Sequence, residues 1–204
     1  MLFKIVNNSE NELRLMQAAV LKGIISGSFR RGVSISNSGH LGSGSVTIQT
    51  IIEREYPQYN CLSLPDDSNS FDIYLSDQVL EHVGIEPNKV FAEAFRVLEK
   101  NGVLLLSTCL LNPLHMEPDD FLRFTPYALE QYCIASGFTD IHTFTVGSKF
   151  DLIVQRMGGA GKQYGWFVRF LKRVLNIKMQ SKYAIIVGVV ARKPGSLEKT
   201  ASNI

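Results

Sequence analysis

Between Phe71 and Gly102 the apolar positions of this chain change rhythm twice. Phe71, Ile73 and Leu75 alternate with polar neighbours, as on a strand. Val90, Phe91, Ala94, Phe95, Val97 and Leu98 then recur at helical spacing. Asn101-Gly102 supplies the stop expected just past a helix C-terminus. The continuous apolar run Val103-Leu104-Leu105-Leu106 follows at once and reads as a buried strand reaching to Cys109. A strand-helix-strand unit of this length implies a right-handed crossover between parallel strands. Parallel sheets are almost confined to α/β folds with helices on both faces, so this segment sets the fold class.

The flanking patterns extend that unit. Ser9 and Glu12 have capping-box spacing, and Leu13, Met16, Ala19, Val20 and Ile24 then give an amphipathic helix to about Ser26. Arg31–Thr50 reads as a first strand (Val33, Ile35), a flexible turn and a second strand (Val46, Ile48). Tyr59–Leu64 is expected to be a third short strand. Leu64–Ser70 is a turn cluster. After Cys109 comes the irregular segment LLNPLHMEPDDFLRFTP, and loops longer than about 12–15 residues in compact domains are usually functional. Thr125-Pro126 starts a helix by an N-cap and a proline at its first position; its face is Leu129, Tyr132, Cys133 and Ala135, and Gly137 stops it. Ile141, Phe144 and Val146 suggest a strand, and Tyr183–Arg192 a clearer one. The glycines of Gly158-Gly159-Ala160-Gly161 form a hinge before a basic amphipathic helix at about Tyr164–Lys178. That helix suits either packing on the sheet or a peripheral membrane contact. One domain over residues 1–194 and a frayed tail over 195–204 are expected.

Composition narrows the class without deciding it. At 204 residues the chain suits one well-buried domain. A net charge of +2 does not suggest a nucleic-acid binder. The cysteines, Cys61, Cys109 and Cys133, are widely spaced, and no metal-ligand spacing joins them to His40, His82, His115 or His142. No metal is expected, and free buried thiols suit a reducing compartment. The N-terminus lacks the apolar core of a signal peptide, so a cytoplasmic location is the expectation.

The motifs carry a resemblance. Leu64-Pro65, Ser70-Phe71-Asp72, Gln78-Val79-Leu80-Glu81-His82-Val83 and Arg96-Val97-Leu98-Glu99-Lys100-Asn101-Gly102 follow one another in the order and spacing of the class I S-adenosylmethionine-dependent methyltransferases, type 11 group. His115-Met116-Glu117-Pro118-Asp119-Asp120-Phe121-Leu122-Arg123-Phe124-Thr125 is similar to a further block of a subset of that group. The resemblance covers about residues 60–145 well and 180–194 loosely. It implies a Rossmann-like sheet of seven strands, mostly parallel with an antiparallel last strand. It also implies S-adenosyl-L-methionine as cofactor, lying across strand ends where open α/β sheets bind ligands. The implied acceptor is a small molecule or a glycan or lipid intermediate.

Carried over residue by residue, the resemblance puts cofactor contacts at Asn37, Ser38 and Gly39 after the first strand, Gln49 on the second and Asn60 after the third. Leu64, Asp77 and Gln78 complete the set; for Asp77 and Gln78, helix-start capping is the alternative. The family's usual carboxylates are missing at the first three places, and Asn37 stands where a glycine is usual. Hydrogen bonds to charged groups contribute roughly 1.5–3 kcal/mol against about 1 for neutral ones. The losses together weaken cofactor binding by one to several orders of magnitude, which motivates a second reading as a non-catalytic binding protein. Methyl transfer from a sulfonium is mainly a matter of alignment, and a histidine base helps with oxygen acceptors. His82 and His115 are the candidates, against turn-orienting and ordinary loop roles. Arg123 is either a contact for an acidic substrate group or a partner of Asp119 or Asp120 within the loop.

Overall fold

The computed structural model describes residues 12–36, 46–116, 118–149, 151–152, 174–175 and 183–195. In chain order the elements are α1 (Glu12–Ile24), β1 (Gly27–Ser36), β2 (Val46–Glu55), β3 (Phe71–Asp77), a 3-10 turn (Leu80–His82) and α2 (Pro87–Val97). They continue with β4 (Leu98–Cys109), α3 (Pro126–Ala135), β5 (Thr139–Val146) and β6 (Ile186–Arg192). The strands form one sheet in the order β2-β1-β3-β4-β6-β5. β1 is parallel to β2 and β3, and β3 to β4, while β6 runs antiparallel to both β4 and β5.

Alternation along the central strands builds both layers. Tyr74, Leu104 and Leu106 face one side, where Val90, Phe91 and Ala94 of α2 and Leu129 and Cys133 of α3 cover them. Ile73, Leu75, Val103 and Leu105 face the other, with Leu21 and Ile25 of the α1 segment. Both faces are buried, which is why the sequence shows an unbroken apolar run at 103–106.

The sheet has six strands among the described residues, where seven were expected. Tyr59–Leu64 is a turn at Cys61-Leu62 flanked by bends, closed by the Ser63 N–H donating to the Asn60 carbonyl at 3.0 Å. There Asn60 Oδ1 accepts the Leu62 N–H at 2.9 Å, and the exposed Tyr59 ring lies 4.8 Å from the Arg54 guanidinium carbon. A short polar stretch that satisfies its own backbone through an Asx turn has no need of a ladder. β2 is also longer than expected, ending at Glu55 instead of near Thr50.

The stop after α2 works differently from a glycine C-cap. Leu98 is already extended, and Asn101 takes the left-handed conformation with φ 64°. Gly102 is required by close packing, since a Cβ there would sit 2.8 Å from the Glu99 carbonyl oxygen.

Arg96 and Glu93 of α2 explain why the Leu64-Pro65 and Arg96-Val97-Leu98 motifs travel together. Arg96 donates to the carbonyls of Leu64 (3.2 Å) and Asp66 (2.8 Å), and Glu93 Oε1 accepts the Leu64 N–H at 2.6 Å. Partial burial raises the Glu93 pKa, but Arg96 and the Leu64 N–H outweigh it and hold the carboxyl below its usual range.

Among the described residues no helix is long and apolar enough to cross a membrane. The helix expected over Tyr164–Lys178 lies outside them apart from Val174 and Leu175, both exposed. The expected tail lies outside them from residue 196.

Candidate active site

The C-terminal ends of β1, β3 and β4 meet at one point. Ser36, Asp77 and Ser107 are register partners across the three strands. Asp77 is buried, and Ser107 Oγ donates to its Oδ1 at 2.5 Å. The next residue, Gln78, has φ 54°, donates its backbone N–H to the Ser107 carbonyl at 2.9 Å and reaches Ser107 Oγ at 3.4 Å with its side chain. A left-handed conformation costs a non-glycine residue roughly 1–2 kcal/mol. Such strain collects where a chain must turn sharply at a functional site. Asp77 and Gln78 thus sit together at the strand ends.

The other expected cofactor contacts divide. Asn37, Ser38 and Gly39 lie outside the described residues. Gln49 is exposed in the first half of β2, next to Thr50, which faces Arg31 of β1, so it is not at the strand's C-terminal end. At that end stands Glu55, the register partner of Ser36. Sequence reasoning passed over Glu55 because it ended the strand too soon. Asn60 uses its side-chain oxygen within its own turn, and Leu64 is buried in the core with its backbone held by Glu93 and Arg96.

Beyond the Asp77 corner the 3-10 turn carries Glu81 and His82, both buried. Glu81 anchors the irregular segment: its carbonyl accepts the Phe121 and Leu122 N–H groups at 2.9 and 3.3 Å. Glu81 Oε2 accepts from Thr108 Oγ1 at 2.7 Å, no N–H or O–H donates to the fully buried Oε1, and the Cys109 thiol is hydrogen-bonded to the same carboxyl group. Two imidazoles face that oxygen, with His115 Nε2 at 3.9 Å and His82 Nε2 at 4.0 Å. The rings meet edge to face, centroids 4.9 Å apart. His82 Nδ1 contacts the Asp119 carbonyl, and Tyr56 donates its hydroxyl to the His82 carbonyl at 2.7 Å. His82 therefore orients the turn, whereas the His115 side chain keeps 33% of its surface exposed.

Arg123 pairs with Asp120, contacting Oδ1 with Nη1 and Oδ2 with Nη2 at 2.5 Å, and also donates to the Leu122 carbonyl at 3.0 Å. Of its two expected roles, the structure shows the partnership within the loop. The hydrogen bonds from Arg123, and then the His115 backbone N–H, hold the Asp120 carboxyl at about 2. Cys109, at the end of β4, is buried, and burial followed by the Glu81 charge pushes its thiol well up. Glu81, Thr108, Cys109 and Asp120 were not among the expected site residues. Glu81 and Asp120 stand in the quoted motifs, and Asp120 also as a possible partner of Arg123, whereas Thr108 and Cys109 carried no signal beyond their place at the end of the apolar strand.

The sequence profile described as a methyltransferase domain matches residues 44–106. That stretch holds β2, β3, α2 and most of β4, and the sheet around it decides the architecture. The fold is that of the class I methyltransferases. Phosphoethanolamine N-methyltransferase 2 of Haemonchus contortus, solved with S-adenosyl-L-methionine, shares it at TM-score 0.54 and 14% identity over 87% of this chain. The chain spans about half of that protein, 52% of its length. A S-adenosylmethionine-dependent methyltransferase of Thermotoga maritima is similar at TM-score 0.54 and 14% identity, over 88% of this chain and 89% of its own. The cyclase SpnF matches at TM-score 0.50 and 15% identity, over 90% of this chain and 81% of its own. This methyltransferase architecture therefore hosts more than one chemistry. No curated protein matches the chain in sequence.

Proposed function

We propose that the protein binds S-adenosyl-L-methionine at the β1-β3-β4 strand ends and transfers its methyl group to a small-molecule, glycan or lipid-linked acceptor. The observation that carries this reading is the buried Asp77 carboxylate, fixed by Ser107 where three parallel strands end and the chain turns through the strained Gln78. Glu55, at the end of β2, is a carboxylate suited to the ribose hydroxyls. Asp77 and Gln78 suit the methionine part. When bound, the sulfonium supplies the electrophilic methyl group. This chain's own residues align the acceptor and keep water out. His115 is the group we place beside the acceptor, with His82 as a positioning residue beneath it. A soluble protein of the cytoplasm is the setting that suits such an acceptor.

Calorimetric titration of the full chain with S-adenosylhomocysteine tests this. Saturable binding is expected, weakened about 10–100-fold by Asp77→Asn, which removes a charge-assisted hydrogen bond of roughly 1.5–3 kcal/mol. Absence of heat at millimolar ligand would overturn the enzyme. It would favour the second reading, a non-catalytic binding protein, for which the self-satisfied Asn60 turn is the supporting observation.

A further inference from the structure

We propose that Glu81, Cys109 and His115 bind one divalent transition-metal ion of the zinc type, with a fourth position open to solvent. The residues come from the 3-10 turn, the end of β4 and the irregular segment. One ligand atom from each lies within 4.8 Å of the others. Zinc–ligand bonds of about 2.0–2.3 Å place tetrahedral ligand atoms roughly 3.3–3.8 Å apart. The ligand atoms are thus too far apart by no more than about 1–1.5 Å, a gap that side-chain adjustment around an ion closes.

Three features point to a cation. First, Glu81 Oε1 is a fully buried carboxylate oxygen to which no N–H or O–H donates; it faces the His115 imidazole, and the Cys109 thiol is hydrogen-bonded to the same carboxyl group. A thiol is a weak donor, so a buried carboxylate met by it stays undersatisfied. Second, the surroundings orient the ligands as metal sites require. Thr108 Oγ1 holds Oε2, which leaves Oε1 turned inward. His115 Nδ1 lies 3.4 Å from the Pro113 carbonyl and 3.5 Å from Asp120 Oδ2. A proton held there leaves the Nε2 lone pair facing Glu81. Third, a thiol, an imidazole and a carboxylate form the mixed donor set of zinc and its neighbours, not that of magnesium or calcium. Three protein ligands with one open position is the arrangement of catalytic sites, and the exposed third of His115 provides access. On binding, the Cys109 thiol gives its proton to solvent, and its sulfur coordinates as thiolate. The site needs no cofactor, so it does not depend on the methyl-transfer reading. With the ion in place, His115 Nε2 would hold the metal instead of a proton, and the fourth position would be left to solvent.

Cobalt(II) is the probe, titrated into the full chain after chelator treatment. Uptake of one ion per chain is expected, with a thiolate-to-cobalt charge-transfer band in the near ultraviolet. Cys109→Ser should abolish that band and weaken binding at least tenfold. His115→Ala, at a partly exposed side chain, should weaken binding at least tenfold with circular dichroism unchanged, and it serves as the readout if the cysteine variant fails to fold. No saturable uptake below millimolar cobalt, no charge-transfer band, or uptake indifferent to both variants overturns the site. A parallel S-adenosylhomocysteine titration separates the two proposals, since metal uptake without cofactor heat sinks only the methyl-transfer reading.

Discussion

Arg123→Ala is expected to lower stability by about 2–3 kcal/mol, a fall in thermal midpoint of roughly 5–10 °C for a chain of this size. The reason is the carboxylate left behind. Asp120 has a fully buried side chain, and Arg123 is three-quarters buried over it. Removing one partner of a fully buried pair costs about 3–5 kcal/mol, and the residual exposure of Arg123 trims that figure. Asp120 also fixes the His115 backbone through its N–H at 2.9 Å, so the loss spreads along the irregular segment.

The pH dependence has a definite sign. In the folded chain the Asp120 carboxyl titrates at about 2, against 3.8 for an unperturbed group. The folded state is the weaker proton binder, so this stabilisation is complete above about pH 4 and is lost as pH falls from there to about 2. The shift corresponds to about 2 kcal/mol. Denaturant unfolding of the wild type and Asp120→Asn across pH 7 to 2.5 checks it. The wild type should lose more stability than the variant between pH 4 and 2.5. Parallel curves would show that the pair contributes nothing measurable.

Gly188→Ala is the second substitution with a large expected effect. Gly188 lies on β6 between β4 and β5, facing Ser107 and Phe144 in the two ladders. A Cβ there would strike the Phe144 ring and come within 2.5 Å of the Leu106 carbonyl oxygen. The ring can turn; the carbonyl belongs to the central ladder and cannot. Overpacking in a well-filled core typically costs 1–3 kcal/mol, and with backbone as one party about 3 kcal/mol or more is expected. The double variant Gly188→Ala, Phe144→Leu should regain only part of the loss, because the carbonyl contact persists. A single-variant loss under about 0.5 kcal/mol in chemical denaturation would refute the packing argument.

The fold was legible wherever one local rule was enough. The unbroken apolar run at 103–106 and the helical spacing from Val90 to Leu98 located the parallel core, because burial on both faces leaves a strong pattern. Tyr59–Leu64 misled because its apolar residues serve turns and core packing, while Asn60 satisfies the backbone locally. β2 was cut short because Glu53, Arg54 and Glu55 look like a strand's end, although an outer strand carries charge readily. The corner at Asp77 and Gln78 was legible through motif order. The Glu81, Cys109 and His115 cluster was not, since a turn, a strand end and a loop bring its members together only through tertiary structure. Arg123 was legible as a pair of alternatives, of which the structure displays the ion pair with the buried Asp120.

The absence of a ladder in Tyr59–Leu64 also matters for the chain's conduct in solution. Among the described residues β2 is the rim of the sheet, so its outward N–H and C=O groups are a template for another molecule's strand. Proteins guard such rims with ionic side chains. Here the stretch Thr47–Ile52 carries none, and the guard is concentrated in Glu53, Arg54 and Glu55 at one end. Among the described residues, the ionic guard of this rim against self-association therefore rests on three neighbouring residues.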